Sequence, residues 1–234
     1  MSSAHTDSRI LRGMEAQLKR REERLAAGEK AIGWKVGFGA PASMQSLGID
    51  APLIGFMTDK SLIPSGSEVS VAGWTKTAVE PEVALRLGSD VEGLVDRKTA
   101  RAAIASISPS IELADVNFAP TDIESILEAN IFHRGVILGH PEDSRVGLVL
   151  DGLIGRIYRD GVETASIIEL QALPGDFVEI VQHVASLLNV FGEKLRAGDI
   201  LITGSIVPPI LSTTSEGVRF FLDPIADVSV HVTV

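Results

Sequence analysis

Glycine and proline punctuation constrains this chain more than any other feature. From Ala31 onward the apolar stretches are short and repeatedly cut by one residue or the other, as in Gly33-Trp34-Lys35-Val36-Gly37-Phe38-Gly39-Ala40-Pro41. With 22 glycines and 11 prolines in 234 residues, long helices are interrupted, and short strands joined by tight loops remain. Polar and apolar residues alternate over residues 66–74, 78–87 and 226–234, the period-two signature of strands. Asp160-Gly161 separates two further strand-like segments and predicts a hairpin turn. Helices are expected over Arg97–Ser106, from about Thr121 to Ala129, and from Phe177 to Phe191. The last opens on Asp176 with Glu179 three residues later and carries Ile180, Val181, Val184, Leu187 and Leu188 on one apolar face. Before Ala31 the character differs. Leu11, Met14, Leu18 and Leu25 recur at helical spacing among many charged residues, so residues 1–30 read as a helical arm. Strands outnumber helices and do not alternate with them, which argues against a doubly wound parallel sheet. The expected architecture is an α+β fold, one mixed β-rich domain over residues 31–234 with a helical N-terminal arm.

Charge and cysteine content narrow the function classes. Lys and Arg number 21 against 31 Asp and Glu, a net charge of −10, and no basic stripe is present, so a large nucleic-acid footprint is not expected. An anionic substrate would need a local positive device, a lysine or a metal. The chain has no cysteine, which excludes disulfides, thiolate zinc sites, iron–sulfur clusters and cysteine nucleophiles. The first ten residues lack a signal-peptide pattern, and no run approaches the ~20 apolar residues of a membrane helix. A cytoplasmic protein without a membrane partner is the resulting expectation.

Gly37-Phe38-Gly39-Ala40-Pro41-Ala42 fits the dinucleotide fingerprint G-x-G-x-x-G/A, with Asp59 downstream. Pro41 can start a helix there, but Gly48 follows too soon for a crossover helix, and the expected βαβ continuation is missing. Neither a phosphate-binding loop of the G-x-x-x-x-G-K type nor a G-x-S-x-G nucleophile elbow occurs.

The acidic residues carry more. In Glu80-Pro81-Glu82, period two puts Glu80, Glu82 and Ala84 on one strand face and Val79, Val83, Leu85 and Leu87 on the other. Two carboxylates so close repel unless they are solvated, protonated or bridged by a cation, and carboxylate oxygens suit hard divalent ions. Alone, such a pair is an ordinary wet strand face. Two features argue for more: Pro81 removes a ladder donor and points to an edge or bulge, and Glu112 sits in the apolar stretch Ser110-Ile111-Glu112-Leu113-Ala114. Periodicity leaves open whether Glu112 alternates outward or faces the first pair.

Several segments, in order, resemble the hydratase branch of the fumarylacetoacetase superfamily, which holds 2-oxopent-4-enoate hydratases and 4-oxalocrotonate decarboxylases. They are Gly33–Gly37, the loop from Met44 to Gly55, Glu80-Pro81-Glu82, Pro109–Asp115, Ala129-Asn130 and Gly198–Ser205, spanning residues 33 to 205. The resemblance implies the superfamily's mixed β-sheet roll and a Mg²⁺ or Mn²⁺ site made by Glu80, Glu82 and Glu112, completed by the 2-oxo and carboxylate oxygens of the substrate. It further implies catalytic roles for Lys35 and Asp59, a substrate contact at Ser205, and a homo-oligomer. Two departures stand out. The acid expected just before Ala129-Asn130 is not Asp, the nearest residues being Glu124, Ser125 and Glu128, and the hydrolase branch's Asn-Asp-x-x-x-Arg segment is missing. The implied activity is hydration of a small 2-hydroxy-2,4-dienoate or 2-oxo-enoate. A vinylogous 2-oxo-acid decarboxylase and a catalytically silent relative are the alternatives. By themselves, Lys35 reads as a surface lysine, Asp59 as a turn acid, Ser205 as a turn hydroxyl, His183 as partly solvent-facing, and His133-Arg134 as a pair near a pocket rim.

Overall fold

The computed structural model describes residues 3–234. Helix α1 (Ser8–Ala26) leads into β1 (Ala31–Gly37), the short α2 (Pro41–Leu47) and β2 (Leu53–Thr58). Next come β3 (Ser67–Ser70), β4 (Thr77–Leu87), α3 (Arg97–Ala102), β5 (Ile104–Asp115), α4 (Ile123–Glu128) and β6 (His133–Leu138). The hairpin of β7 (Ile154–Arg159) and β8 (Val162–Ile167) turns at Asp160-Gly161 as expected. Helix α5 (Phe177–Val190) precedes β9 (Ile200–Ser205), β10 (Ile210–Ser212), β11 (Glu216–Asp223) and β12 (Ala226–Thr233). No helix among the described residues is long and apolar enough to cross a membrane.

The strands form two mixed sheets, an α+β architecture. The seven-stranded sheet runs β2-β1-β9-β4-β5-β6 with β10 also on β4, and the five-stranded sheet runs β3-β12-β11-β7-β8. The β1–β9 and β12–β3 pairs are parallel and the rest antiparallel. β1 and β2 are antiparallel across the seven-residue α2, which Gly48 ends in the left-handed region at φ 62°. The Gly37–Ala42 sequence therefore lies in no βαβ unit.

The core is continuous across both sheets and α5. Asp176 caps α5 by accepting the Val178 and Glu179 N–H groups at 2.9 and 3.0 Å, and Phe177, Ile180, Val181, Val184, Leu187 and Leu188 are buried along it. Helix α1 is more than a charged cover. Its buried face mixes Ile10 and Met14 with Gln17 and Arg21. Gln17 Nε2 donates to the Ile54 and Leu127 carbonyls at 3.0 and 2.9 Å, and the Arg21 guanidinium lies over the Trp34 ring while bonding Glu193. Leu11, Leu18 and Leu25 are only half-buried.

One expectation needs correction and another is narrowed. The helix over 97–106 ends at Ala102, because Ile104 pairs with Leu87 and the Ala103 carbonyl accepts Gly88 N–H; strand pairing overrides an alanine-rich helical sequence. Of the edge or bulge to which Pro81 pointed, the edge is not found, since β4 is central, between β9 and β5, but a ladder irregularity does lie beside it. The β4–β9 register shifts between Glu82 and Ala84, β10 pairs only with Thr77–Val79, and the Pro81 carbonyl accepts from Ile206 N–H. Pro81 thus sits where one neighbour hands over to another, so its missing N–H leaves little of the ladder unmade.

Candidate metal centre

Strand pairing assembles the acids. Glu80 is the direct antiparallel partner of Glu112, and Glu82 pairs with Ser110 on one side and Ser205 on the other. Partners in register share a face, so all three carboxylates project together. One oxygen from each of Glu80, Glu82 and Glu112 lies within 4.8 Å of the others. Glu82 and Glu112 are fully buried, while Glu80 is half-buried and opens onto a cavity of about 330 Å³.

The protein engages one oxygen of each buried acid and leaves the other. Glu112 Oε1 accepts from Lys35 Nζ and lies 2.7 Å from His133 Nδ1; Glu82 Oε2 accepts Gly204 N–H at 2.7 Å. Glu112 Oε2 and Glu82 Oε1 are buried with no partner among the described residues. A buried carboxylate oxygen without a donor is costly. Two of them beside a third acid form an all-oxygen donor set that suits a hard divalent cation. Three carboxylates against one ammonium leave two negative charges, which one such ion cancels.

Titration follows the same asymmetry. Burial, reinforced by repulsion from Glu112, pushes Glu80 up to about 7. Burial and its two acidic neighbours push Glu82 well above the carboxylate range. Burial acts on Glu112 too, but the Lys35 ammonium and the His133 bond outweigh it and hold this carboxyl low. Burial depresses His133, so its ring is neutral and Nδ1–H donates to Glu112.

Lys35 is held in place by strain nearby. Its side chain is 3% exposed, and Nζ also donates to the Ile131 carbonyl at 3.3 Å. Ile131 lies within three consecutive left-handed residues, Asn130, Ile131 and Phe132, with φ of 53, 52 and 61°. A β-branched residue in that region is unfavourable, and tertiary contacts must impose it. They do: Asn130 Oδ1 accepts Phe56 N–H at 2.8 Å, and its Nδ2 donates to the Phe56 carbonyl at 2.9 Å. Gly55, opposite Lys35, makes this approach possible, since a Cβ there would meet Asn130 Oδ1 and Lys35 Cγ at 2.9 Å each.

The structure gathers Lys35, Glu80 and Ser205 around the cavity, with Glu82 and Glu112 beneath. Asp59 is not brought to the cavity. It lies past the opposite end of β2 from the cavity mouth, its Oδ1 accepts Lys30 N–H at 2.8 Å, and it does not line the cavity. His133, which sequence places only near a pocket rim, has a side chain 2% exposed that grips Glu112, and no motif signals the left-handed turn that anchors Lys35. Arg134 bonds Asp115 at 3.0 Å, outside the cavity. His183 is half-buried, with Nε2 on the Pro52 carbonyl at 2.9 Å, and burial pushes it down to about 4.

Residues 34–233 match the model of the fumarylacetoacetate (FAA) hydrolase C-terminal family. A 4-oxalocrotonate decarboxylase of Pseudomonas sp is 25% identical over 217 residues, covering 90% of this chain and 82% of that protein. A 2-hydroxyhexa-2,4-dienoate hydratase of Comamonas testosteroni is 26% identical over 215 residues, covering 90% and 81%. Among solved structures, 4-oxalocrotonate decarboxylase from Pseudomonas putida G7, complexed with magnesium and adipate, superposes with a TM-score of 0.85 at 22% identity over 94% of this chain and 84% of that one.

Proposed function

Because the chain belongs to the fumarylacetoacetate hydrolase C-terminal family, we propose that it is a divalent-metal-dependent hydro-lyase adding water to a 2-hydroxy-2,4-dienoate or the corresponding 2-oxo-enoate. The observation that carries this reading is the buried Glu80–Glu82–Glu112 set, with its two unpartnered oxygens, beneath a cavity lined by Lys35. These acids would hold Mg²⁺ or Mn²⁺, which supplies Lewis-acid polarisation of a 2-oxo group. Lys35 Nζ, fixed between Glu112 and the Ile131 carbonyl, offers the positive charge and the proton nearest the acids. It binds the substrate's anionic head and moves a proton in the isomerisation that precedes water addition. Phe38, Ile131, Phe132 and Val207 wall the cavity with apolar surface and strengthen those contacts by excluding water. The Ser205 hydroxyl, on β9 beside Glu82 and lining the cavity, would orient the substrate.

A second reading, decarboxylation of a vinylogous 2-oxo acid, is favoured by the cavity's sparse acid–base equipment. Its only titratable lining residues are Lys35, Lys76 and Glu80. Losing CO₂ asks for an electron acceptor and one proton, whereas hydration also asks for an activated water. The experiment is hydration of 2-hydroxypenta-2,4-dienoate, followed by loss of the diene absorbance with Mg²⁺ and then with EDTA. Loss that EDTA stops, with 4-hydroxy-2-oxopentanoate as product, is the expected result. No hydration, together with Mg²⁺-dependent CO₂ release from 2-oxohex-3-enedioate, would replace the first reading with the second.

A further inference from the structure

Lys35, on β1, shares Glu112 with a second side chain, His133, which reaches it through an irregularity in β6. Glu112 pairs with Val136 and Leu113 with Gly135, so a regular ladder would set Arg134 opposite Ala114, on the face that Ala114 shares with Glu112. Instead the register slips, and Ala114 pairs with His133. The extra residue turns the imidazole toward the acids. Arg134 is left exposed, bonded to Asp115 and 5.9 Å from the Trp74 ring centroid.

The two partners of Glu112 differ in what else they must do. Lys35 has three N–H groups: one goes to Glu112, one to the Ile131 carbonyl, and the third is left for the cavity that Lys35 lines. His133 does not line the cavity. Its Nδ1 lies 2.7 Å from Glu112 Oε1, the same oxygen that accepts from Lys35. An ionised carboxylate only accepts, so Nδ1 carries the proton. Nε2 is buried with no partner among the described residues, which leaves Glu112 as the one group the ring serves there. The left-handed turn at Asn130–Phe132 delivers both contacts, the Ile131 carbonyl to Lys35 and then the imidazole to Glu112.

We infer that His133 is a positioning residue of the metal centre: its Nδ1–H pins Glu112 Oε1 independently of Lys35, so that Oε2 stays presented to the cation while the ammonium serves the substrate. This rests on the metal-centre reading above and adds how the centre keeps its shape when Lys35 gives up a proton. A carboxylate held by the lysine alone would lose its donor at that moment and be free to rotate. The imidazole prevents this as a neutral donor, without adding a positive charge that would compete with the metal.

Mg²⁺ calorimetry on the full chain tests it, with urea unfolding in EDTA as the measure of the fold. His133→Leu keeps apolar bulk but removes the donor, and it is expected to bind Mg²⁺ about tenfold or more weakly, the effect of losing such a partner. His133→Asn, whose side-chain N–H can take the place of Nδ1–H, should stay within about threefold of the wild type. Lys35→Met, which leaves the ring untouched and removes a competing charge, should bind Mg²⁺ at least as tightly as the wild type. A His133→Leu protein that is less stable in EDTA yet holds Mg²⁺ like the wild type makes His133 a structural residue and overturns the inference. So does Lys35→Met losing as much affinity as His133→Leu, since Glu112 would then depend on the lysine. A wild type that binds no Mg²⁺ overturns the metal-centre reading itself, and this inference with it.

Discussion

Buried carboxylates occur in two settings in this molecule. Glu216, at the start of β11, is 4% exposed, and both of its oxygens are occupied: Oε1 accepts from Ser212 Oγ and Oε2 from Arg159 Nε, each at 2.6 Å. Asp115 is satisfied in the same way by two backbone N–H groups and Arg134. Glu82 and Glu112 are buried as deeply, yet each keeps one oxygen without a donor and stands next to further negative charge. The first pattern makes a carboxylate a structural fastener. The second leaves a deficit of positive charge that folding alone does not fill, and the protein has fixed the direction from which the charge must come.

The sharpest way to break this contrast is to neutralise one acid in each setting. Glu82→Ala is expected to abolish Mg²⁺ binding in calorimetry and to lower activity about a thousandfold or more while leaving the circular-dichroism spectrum intact. Activity that survives would remove Glu82 from the centre. pH gives the next largest effect. Without metal, Glu80 is held at about 7, above its unfolded value, because the buried charged form is disfavoured. The folded state then binds the extra proton, so this contribution is full below about pH 4.5 and is lost as pH rises through 7, by at most about 3 kcal/mol. Melting curves in EDTA should show a steeper fall between about pH 5 and 8 for the wild type than for Glu80→Gln, and Mg²⁺ should oppose that fall. Removing Glu216 tests the other setting. Glu216→Ala strands Arg159 and Ser212 and should destabilise by about 1–3 kcal/mol in urea unfolding, with Mg²⁺ affinity unmoved. Least affected is Arg134→Ala, which removes a half-exposed partner from an acid that keeps two backbone donors; a loss under about 1 kcal/mol is expected.

How far the sequence could be read follows the same division between local and tertiary information. Period two put Glu80 and Glu82 on one face correctly, because alternation belongs to a single strand. It could not show Glu112 directly opposite Glu80, which is a matter of register between strands. The α5 stripe and its Asp176 cap were legible for the same local reason, as was the Asp160-Gly161 turn. Pro81 pointed to an edge or a bulge, and a local rule about missing donors could not choose between them: the strand is central and the irregularity lies where β9 gives way to β10. That Asp59 stands apart from the cavity was not legible either, because proximity in sequence to Gly55 says nothing about which end of β2 meets the cavity. The left-handed run at Asn130–Phe132 was invisible: Asn130 tolerates that region, but nothing local favours it at Ile131 and Phe132, and Phe56, 74 positions from Asn130, enforces it.

That clamp bears on how copies of this chain could associate. β2 is the outermost strand of the larger sheet, and its outward backbone groups would ordinarily be open to strand addition. Here the Asn130 carboxamide takes both polar groups of Phe56, and the Gln17 carboxamide takes the Ile54 carbonyl. Two side-chain amides thus stand in for a missing neighbour strand. The sheet cannot be lengthened through this border without first pulling Asn130 off Phe56, and that would release the turn on which Lys35 depends. Strand addition that keeps the centre intact must use another edge.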